Sequence, residues 1–428
     1  MTMFSTAVLL SSLLTFMLPI HLSMAAGDSY VRSESNAAMS RLQKIKEYFF
    51  AGFKYCEIVL ILYKCHNISI SIRHLKRILR INNLRRRNYE NTQFEDVENI
   101  IRNEIMSSGQ CVGYRSMWQR LVNDYQIKVK RNEVMRLMRE IDPEGVASRK
   151  AHRLTRRRYN VKGPNFVWHI DGYDKLSPFG FCIHGAIDGY SRRIMWLEVG
   201  ASNKDPKVIA YYYLNTIKNM KCAPRVIRSD CGTENSYISF LQPFIRHSHR
   251  DSLAGMKSFM YGKSTSNQRI EAWWSYLRRQ GIHWWINKLK DLRDRGRYDS
   301  LNPIHVECLR FCLFDVLQAE LDRIADLWNV HNIRPQKMYR DLPCGKPFVL
   351  HHVPELYGGH DLGKPVNLND VELCFELYAH PKQTWSNTFT ELAYCFKPDL
   401  QTPSNAEDGF RLYEELISVY DQEVNGII

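Results

Sequence analysis

Trp168-His169-Ile170-Asp171-Gly172, Ser229-Asp230-Cys231-Gly232-Thr233-Glu234-Asn235 and Asn267-Gln268-Arg269-Ile270-Glu271 bound the stretch whose reading decides the fold. Apolar residues alternate over 165–173, the period of a half-buried strand, and Asp171 falls inside it. Residues 179–187 and 193–199 read as two further strands, with turn signals at Ser177-Pro178 and Asp188-Gly189. A helix over 205–220 follows, then a short strand over 224–228 just before Asp230. Residues 235–247 read as a helix and 256–261 as a strand. A long helix over 267–289 carries Trp273, Trp274 and Leu277 on its apolar side. This order of elements predicts an α/β fold, a mixed sheet flanked by helices.

Outward from this stretch, length and charge set bounds. At 428 residues the chain is too long for one ordinary domain. With 44% hydrophobic and 24% charged residues it falls among globular proteins, not disordered ones. The net charge of +14 conceals an asymmetry: residues 41–163 hold 27 Lys and Arg against 12 Asp and Glu, and residues 341–428 hold 5 against 14. A basic front half points to a polyanionic partner, or at its plainest to a soluble surface. Eleven cysteines without a CxxC pair argue for a reducing compartment and against a disulfide framework or zinc ribbon. Cys308 and Cys312, one helical turn apart in an apolar run, read as core residues.

Residues 1–40 form an apolar leader and linker. Residues 1–27 are like the core of a signal peptide without its positive start, and Pro19 and His21 make them a poor membrane span. A secretory leader and an adventitious upstream start both stay open; no membrane partner is expected. Residues 41–90 read as a first unit of three helices, with Ile72, Leu75, Ile78 and Leu79 on one face of the third and Ser69 or Ser71 as its N-cap. That helix carries Arg73, Lys76, Arg77 and Arg80, and Arg85, Arg86 and Arg87 follow. The pattern fits a helix-turn-helix on DNA, and also an ordinary bundle with a solvated charged face. Residues 91–145 repeat the cycle, and Pro143 and Gly145 are expected to end it. Residues 146–163, with Arg156, Arg157 and Arg158, read as a basic linker. It is suited to lying along phosphates or to nuclear import, or is simply a solvated tether.

Trp168-x-x-Asp171, Asp230-x-Gly232-x-Glu234-Asn235 and Asn267-Gln268-x-x-Glu271 resemble the Asp-Asp-Glu signature of retroviral-type integrases and related transposases. The first two acids stand 59 residues apart and the second pair 41. Residues 169–172, 184–192 and 267–271 resemble more closely the animal, transposon-derived integrase core domain proteins, and the likeness covers roughly 45–340. Residues 113–141 are similar to the helix-turn-helix that precedes the catalytic domain in insertion-sequence transposases. The resemblance implies an RNase H-like catalytic core over 164–340, preceded by all-α helix-turn-helix modules. It further implies double-stranded DNA as partner, a homo-oligomer that pairs two DNA ends, and a nuclear location.

Phosphoryl transfer to a DNA strand calls for two divalent cations about 3.5–4 Å apart. Mg²⁺, or Mn²⁺ in its place, prefers a few carboxylates with water and phosphate oxygens. On this reading Asp171 bridges both ions, Asp230 completes one site and Glu271 the other. Read singly, Asp230 is a turn or capping aspartate and Glu271 a solvated helix residue. Asn267, one turn before Glu271, contacts the DNA end or caps the helix. Lys263 lies in a loop over 262–266 beside the site, and Arg269 is expected to reach phosphates. Asp188 reads as a hairpin-turn residue. Three functions follow: a strand transferase or its host-retained descendant; an RNase H-like nuclease that cuts without joining; or a DNA-binding protein that keeps the fold without catalysis. Beyond the core, 303–331 reads as a long helix, 345–360 as loops, and 341–428 as an acidic region that is folded or docks elsewhere.

Overall fold

The computed structural model describes residues 41–86, 94–150, 161–262, 267–335 and 343–427, so the reading of residues 1–40 lies outside it. Helices α1 (Arg41–Phe50), α2 (Tyr55–His66) and α3 (Ile72–Ile81) close around Ile45, Phe53, Ile58, Ile61, Leu75 and Leu79. Ser71 caps α3, its hydroxyl accepting the His74 N–H at 3.1 Å. Phe348 and Val349, from far down the chain, fill the same core. Helices α4 (Phe94–Met106), α5 (Tyr114–Asn123) and α6 (Arg131–Ile141) pack separately around Val97, Ile101, Met117, Leu121, Val134 and Met138. Pro143 falls just past the end of α6 and opens a further short helix, α7 (Pro143–Lys150). Proline at a first helical position gives up only an amide that has no intrahelical partner there.

In the core, β1 (Val167–Tyr173), β2 (Cys182–Asp188) and β3 (Ile194–Gly200) form an antiparallel meander. Helix α8 (Pro206–Met220) and a two-residue strand β4 (Cys222–Ala223) lead into β5 (Val226–Ser229), which runs parallel to β1. Helix α9 (Ser236–Ile245) follows, and β6 (Phe259–Tyr261) adds parallel to β5, giving the sheet order β3-β2-β1-β5-β6. Strand β2 starts at Cys182 and not at 179, because Ser177–Phe179 makes a 3-10 turn that Gly180 ends at φ 82°. That left-handed conformation costs glycine nothing.

Side chains alternate across the sheet and define two layers. Trp168, Ile170, Ala186 and Trp196 pack with Tyr213 and Leu214 of α8 and Ile238 and Leu241 of α9. Tyr173, Ile183, Ile187, Leu197 and Val199 face helices α10 (Gln268–Leu277), α11 (His283–Asp294) and α12 (Pro303–Val330), meeting Trp273, Leu277, Trp285 and Leu313. The single helix expected over 267–289 is two, joined by a π-helical turn at Arg278–Ile282. Gly281 lies so close to α12 there that a Cβ would meet Glu320 Oε1 at 2.9 Å. Cys308 and Cys312 are buried within α12.

The expected loops over 345–360 instead contain α13 (Pro347–His352) and a 3-10 turn at Pro354–Tyr357. Their prolines stand at helix starts and therefore terminate nothing. A short strand β7 (Lys364–Pro365) pairs with β4. Helix α14 (Leu368–Tyr378) adds Val371 and Cys374 to the layer under α8. Helices α15 (Asn387–Phe396) and α16 (Ala406–Ile427) add Phe389, Ala393, Leu412, Tyr413 and Ile417 to the cluster around α12. Among the described residues no helix is long and apolar enough to cross a membrane.

Candidate active site

Alternation along β1 decides where Asp171 points. His169, Asp171 and Tyr173 share the face covered by α10, and α10 is tethered to that strand twice. At its start Asn267 Nδ2 donates to the Ile170 carbonyl at 2.8 Å, and Asn267 Oδ1 lies 2.6 Å from His169 Nδ1. With the amide nitrogen already identified as the donor, His169 carries its proton on Nδ1. Burial drives this histidine down to about 3, so it stays neutral. Two turns along the helix, Trp274 Nε1 donates to Asp171 Oδ2 at 2.9 Å. Glu271 sits between the two tethers, one turn from each, which brings it towards Asp171.

Asp230 arrives from the neighbouring strand. In the parallel pairing of β1 with β5, Val167 stands opposite Val226 and His169 opposite Arg228. Continued along both strands, that register sets Asp230 beside Asp171. The two acids thus occupy the carboxyl ends of parallel strands, where open α/β sheets form their ligand crevices. Asp230 Oδ1 also accepts the Gly232 N–H at 3.3 Å.

The acids feel one another. Burial pushes Asp171 up to about 7; the charges of Asp230 and Glu271 add to the rise, and the Trp274 hydrogen bond opposes it. Burial and Asp230 likewise raise Glu271. A fourth carboxyl belongs to the group: Glu234, on the 3-10 turn Thr233–Asn235, is raised by burial, with Asp230 and Asp174 adding to the effect. Asn235 Nδ2 donates to Glu234 Oε1 at 3.2 Å, and Asn235 Oδ1 lies 3.3 Å from His184 Nε2. His184 Nδ1 accepts the Trp196 indole N–H at 3.1 Å. An indole only donates, so His184 is protonated on Nε2 and points that proton at Asn235.

Among the described residues no three His, Cys, Asp or Glu side chains are drawn tightly enough to enclose a metal ion. The acids meet at longer range, through their charges. Their chemistry nonetheless fits a hard divalent cation, since the donors are all carboxylate oxygens whose mutual repulsion a cation relieves.

The other residues singled out in the sequence divide. Arg73, Lys76, Arg77 and Arg80 are exposed along α3, as is Arg85 beyond it. Arg86 folds back, its guanidinium 4.6 Å from the Phe49 ring and 5.1 Å from that of Tyr55, and donates to the Phe53 carbonyl. Arg269 Nε donates to the Gly189 carbonyl at 3.0 Å, tying α10 to the turn after β2. Asn267 stands at the N-cap position of α10, as one of its two expectations has it. It is 1% exposed and its amide is committed to β1, so it neither reaches solvent nor makes a side-chain cap. Arg87, Arg156, Arg157, Arg158 and Lys263, with the rest of the loop over 263–266, lie outside the described residues. Asp188 anchors its turn, accepting the N–H groups of Asn165, Tyr190 and Ser191, and burial raises it to about 6. Two residues at the site escape sequence reasoning. Trp274 reads as core, and only its one-turn spacing from Glu271 could flag it; Glu234 lies inside the quoted motif with no role given.

A mixed sheet with acids converging at its strand ends, fronted by helical units, defines the RNase H-like class of polynucleotidyl transferase-like proteins. Residues 158–343 match the family model described as integrase core domain, a span that takes in the whole sheet and α10. Over these residues the chain carries an integrase core domain. No curated protein matches it.

Proposed function

We propose that this chain is a DNA strand transferase of the integrase and transposase kind, or a host-retained descendant of one. In this reading Asp171, Asp230 and Glu271 hold two Mg²⁺ or Mn²⁺ ions. The observation that carries the proposal is the convergence of the three acids: burial lifts the Asp171 carboxyl to about 7, and the charges of Asp230 and Glu271 add to the rise. A half-buried acid crowded by two others is costly in its charged form unless a cation joins them, and the integrase core match supplies the class of reaction.

When bound, such ions activate an attacking hydroxyl and neutralise the leaving oxygen. The chain's own residues do the rest. Asp171 is steadied from α10 by Trp274, and Asp230 enters from the parallel strand. The exposed Arg73, Lys76, Arg77 and Arg80 row of α3 binds phosphates, fixing the register of the duplex. Residues 146–163 extend that grip and serve as a nuclear-import segment, and two copies of the chain pair two DNA ends.

The test incubates the full chain with supercoiled plasmid and Mn²⁺ or Mg²⁺. Nicked and joined products are expected from the parent and none from Asp171→Asn, Asp230→Asn or Glu271→Gln. Nicking that survives all three substitutions removes the mechanism. DNA binding without any cation-dependent nicking favours the non-catalysing reading.

A further inference from the structure

Of the residues around the acids, Trp274 has the most specific geometry. Its indole is 5% exposed, packed 5.3 Å from the Tyr173 ring and 5.6 Å from the Trp273 ring, so its position is fixed on both sides. The one polar atom it owns is aimed at Asp171 Oδ2, at 2.9 Å. The neighbouring buried indoles of Trp273 and Trp285 have no hydrogen-bond partner for theirs. The sheet is shaped to admit this ring. Gly185 stands directly across the ladder from Asp171, and a Cβ there would lie 2.9 Å from Trp274 Cη2 and 3.3 Å from Leu197 Cδ1. A tryptophan on α10, a glycine on β2 and an aspartate on β1 thus form one fitted unit.

We propose that Trp274 is a positioning residue for the cation site. It clamps Asp171 through Oδ2 and so fixes the orientation in which the carboxylate meets a divalent cation, and Gly185 provides the clearance that the clamp needs. The inference rests on the strand-transferase reading of Asp171. The chemistry favours an indole for this task. An arginine or lysine would hold the carboxylate more strongly but would bring a positive charge that repels the cation. A hydroxyl, amide or imidazole carries a lone pair that could itself become a ligand. The indole N–H is neutral, donates only and has no competing acceptor. Partners that orient a metal-binding side chain in this way typically change metal affinity by about 10–100-fold when lost.

The probe is Mn²⁺ alone, titrated calorimetrically into the full-length parent, Trp274→Phe, Gly185→Ala and Asp171→Asn, with thermal denaturation confirming that each is folded. Trp274→Phe keeps an aromatic ring, though a smaller one, and deletes the donor; Gly185→Ala keeps the donor and pushes it away. Both are expected to weaken Mn²⁺ binding by roughly 10-fold or more, and Asp171→Asn is expected to abolish it. A role in packing alone would lower the melting temperature and leave Mn²⁺ affinity unmoved. If Asp171→Asn loses Mn²⁺ while Trp274→Phe and Gly185→Ala bind as the parent does, the positioning role is overturned and the acidic site stands. If Asp171→Asn binds Mn²⁺ like the parent, the cation-site reading itself falls. Should Trp274→Phe fail to fold, Gly185→Ala decides alone.

Discussion

Arg120 joins the second helical unit to the layer of α10 and α12, and deleting its charge tests whether the two act as one body. The side chain is fully buried. It pairs with Glu104 at 2.5 Å and donates to the Gln280 carbonyl in the π-helical turn after α10. Glu104 also accepts Arg323 of α12 at 2.7 Å and the Tyr125 hydroxyl at 2.7 Å. Burial opposes the Glu104 charge, yet Arg120, Arg323 and Tyr125 hold its carboxyl at about 2 against an ordinary 4.5. A depression of that size corresponds to about 3 kcal/mol of net interaction. Arg120→Met keeps an apolar stem but removes one of two guanidinium partners, about half of that figure, and one backbone hydrogen bond worth about 1 kcal/mol more. The expected loss is about 2–3 kcal/mol, which raises amide exchange across α4 to α6 by roughly 70-fold where exchange reports local opening. Because the folded-state carboxyl is depressed, this stabilisation is present above the ordinary range near 4.5 and fades as pH falls towards 2, so parent and variant converge in acid. Pairing the change with Glu104→Gln should recover part of the loss, since no buried carboxylate is then left with only one of its two guanidinium partners. Hydrogen exchange by mass spectrometry reads all three proteins. Exchange in α4 to α6 that Arg120→Met leaves unchanged, or a double variant that opens more than the single, refutes the coupling.

Three further outcomes are expected. Burial pushes Asp171 up to about 7, so in the cation-free parent its contribution to stability is complete below the ordinary carboxylate range near 4 and is lost as pH rises through 7. The melting temperature of Asp171→Asn should therefore gain on the parent across that window, and calorimetric curves that stay parallel there contradict the raised Asp171 carboxyl. Replacing Arg73, Lys76, Arg77 and Arg80 together by alanine should flatten the salt dependence of duplex binding by nearly one unit of log–log slope for each lost phosphate contact; an unchanged slope in fluorescence anisotropy places the DNA elsewhere. Deleting residues 406–427 removes Leu412, Tyr413, Leu416 and Ile417, each buried to 6% exposure or less. At about 1.5–3 kcal/mol for each apolar side chain, the remainder should aggregate or bind a hydrophobic dye; a monodisperse product with an unaltered melting temperature overturns the packing described for α16.

What could be read in the chain and what could not separates along sequence distance. The strand carrying Asp171 is legible because a period of two over 165–173 is a local signal, and the order of acids along the chain is preserved in the order of the strands and helix that bear them. The clamp on Asp171 is not legible, because a tryptophan in an apolar stripe has the same pattern whether or not its N–H finds an acid 103 residues away. Long-range completion also closes the open edge of the sheet. Gln318 accepts the Val199 N–H at 3.0 Å and donates to the Leu197 carbonyl at 3.1 Å, and Asn329 accepts the Ile194 N–H at 3.0 Å. Two amides on α12 thus stand in for a missing neighbouring strand and leave that edge less open to pairing.

The charge asymmetry can be understood in the same terms. An acidic tail after a basic front invites division into separate bodies, because net charge is the feature that changes most abruptly along the chain. Charge reports on surfaces, however, and cores are shared by apolar residues that the count ignores. Phe348 completes the first helical unit, and Tyr413 is buried in the cluster that also holds Trp273 and Leu277 of α10. Lys382, one of only 5 basic residues after 340, reaches Glu198 on β3 at 2.7 Å and Gln318 on α12 at 2.8 Å, pinning the acidic region to the sheet edge. A fragment cut where the charge changes sign would lose the apolar cover of α12 and the plug of the first unit together. The full chain is therefore the right material on which to assay the acids at the strand ends.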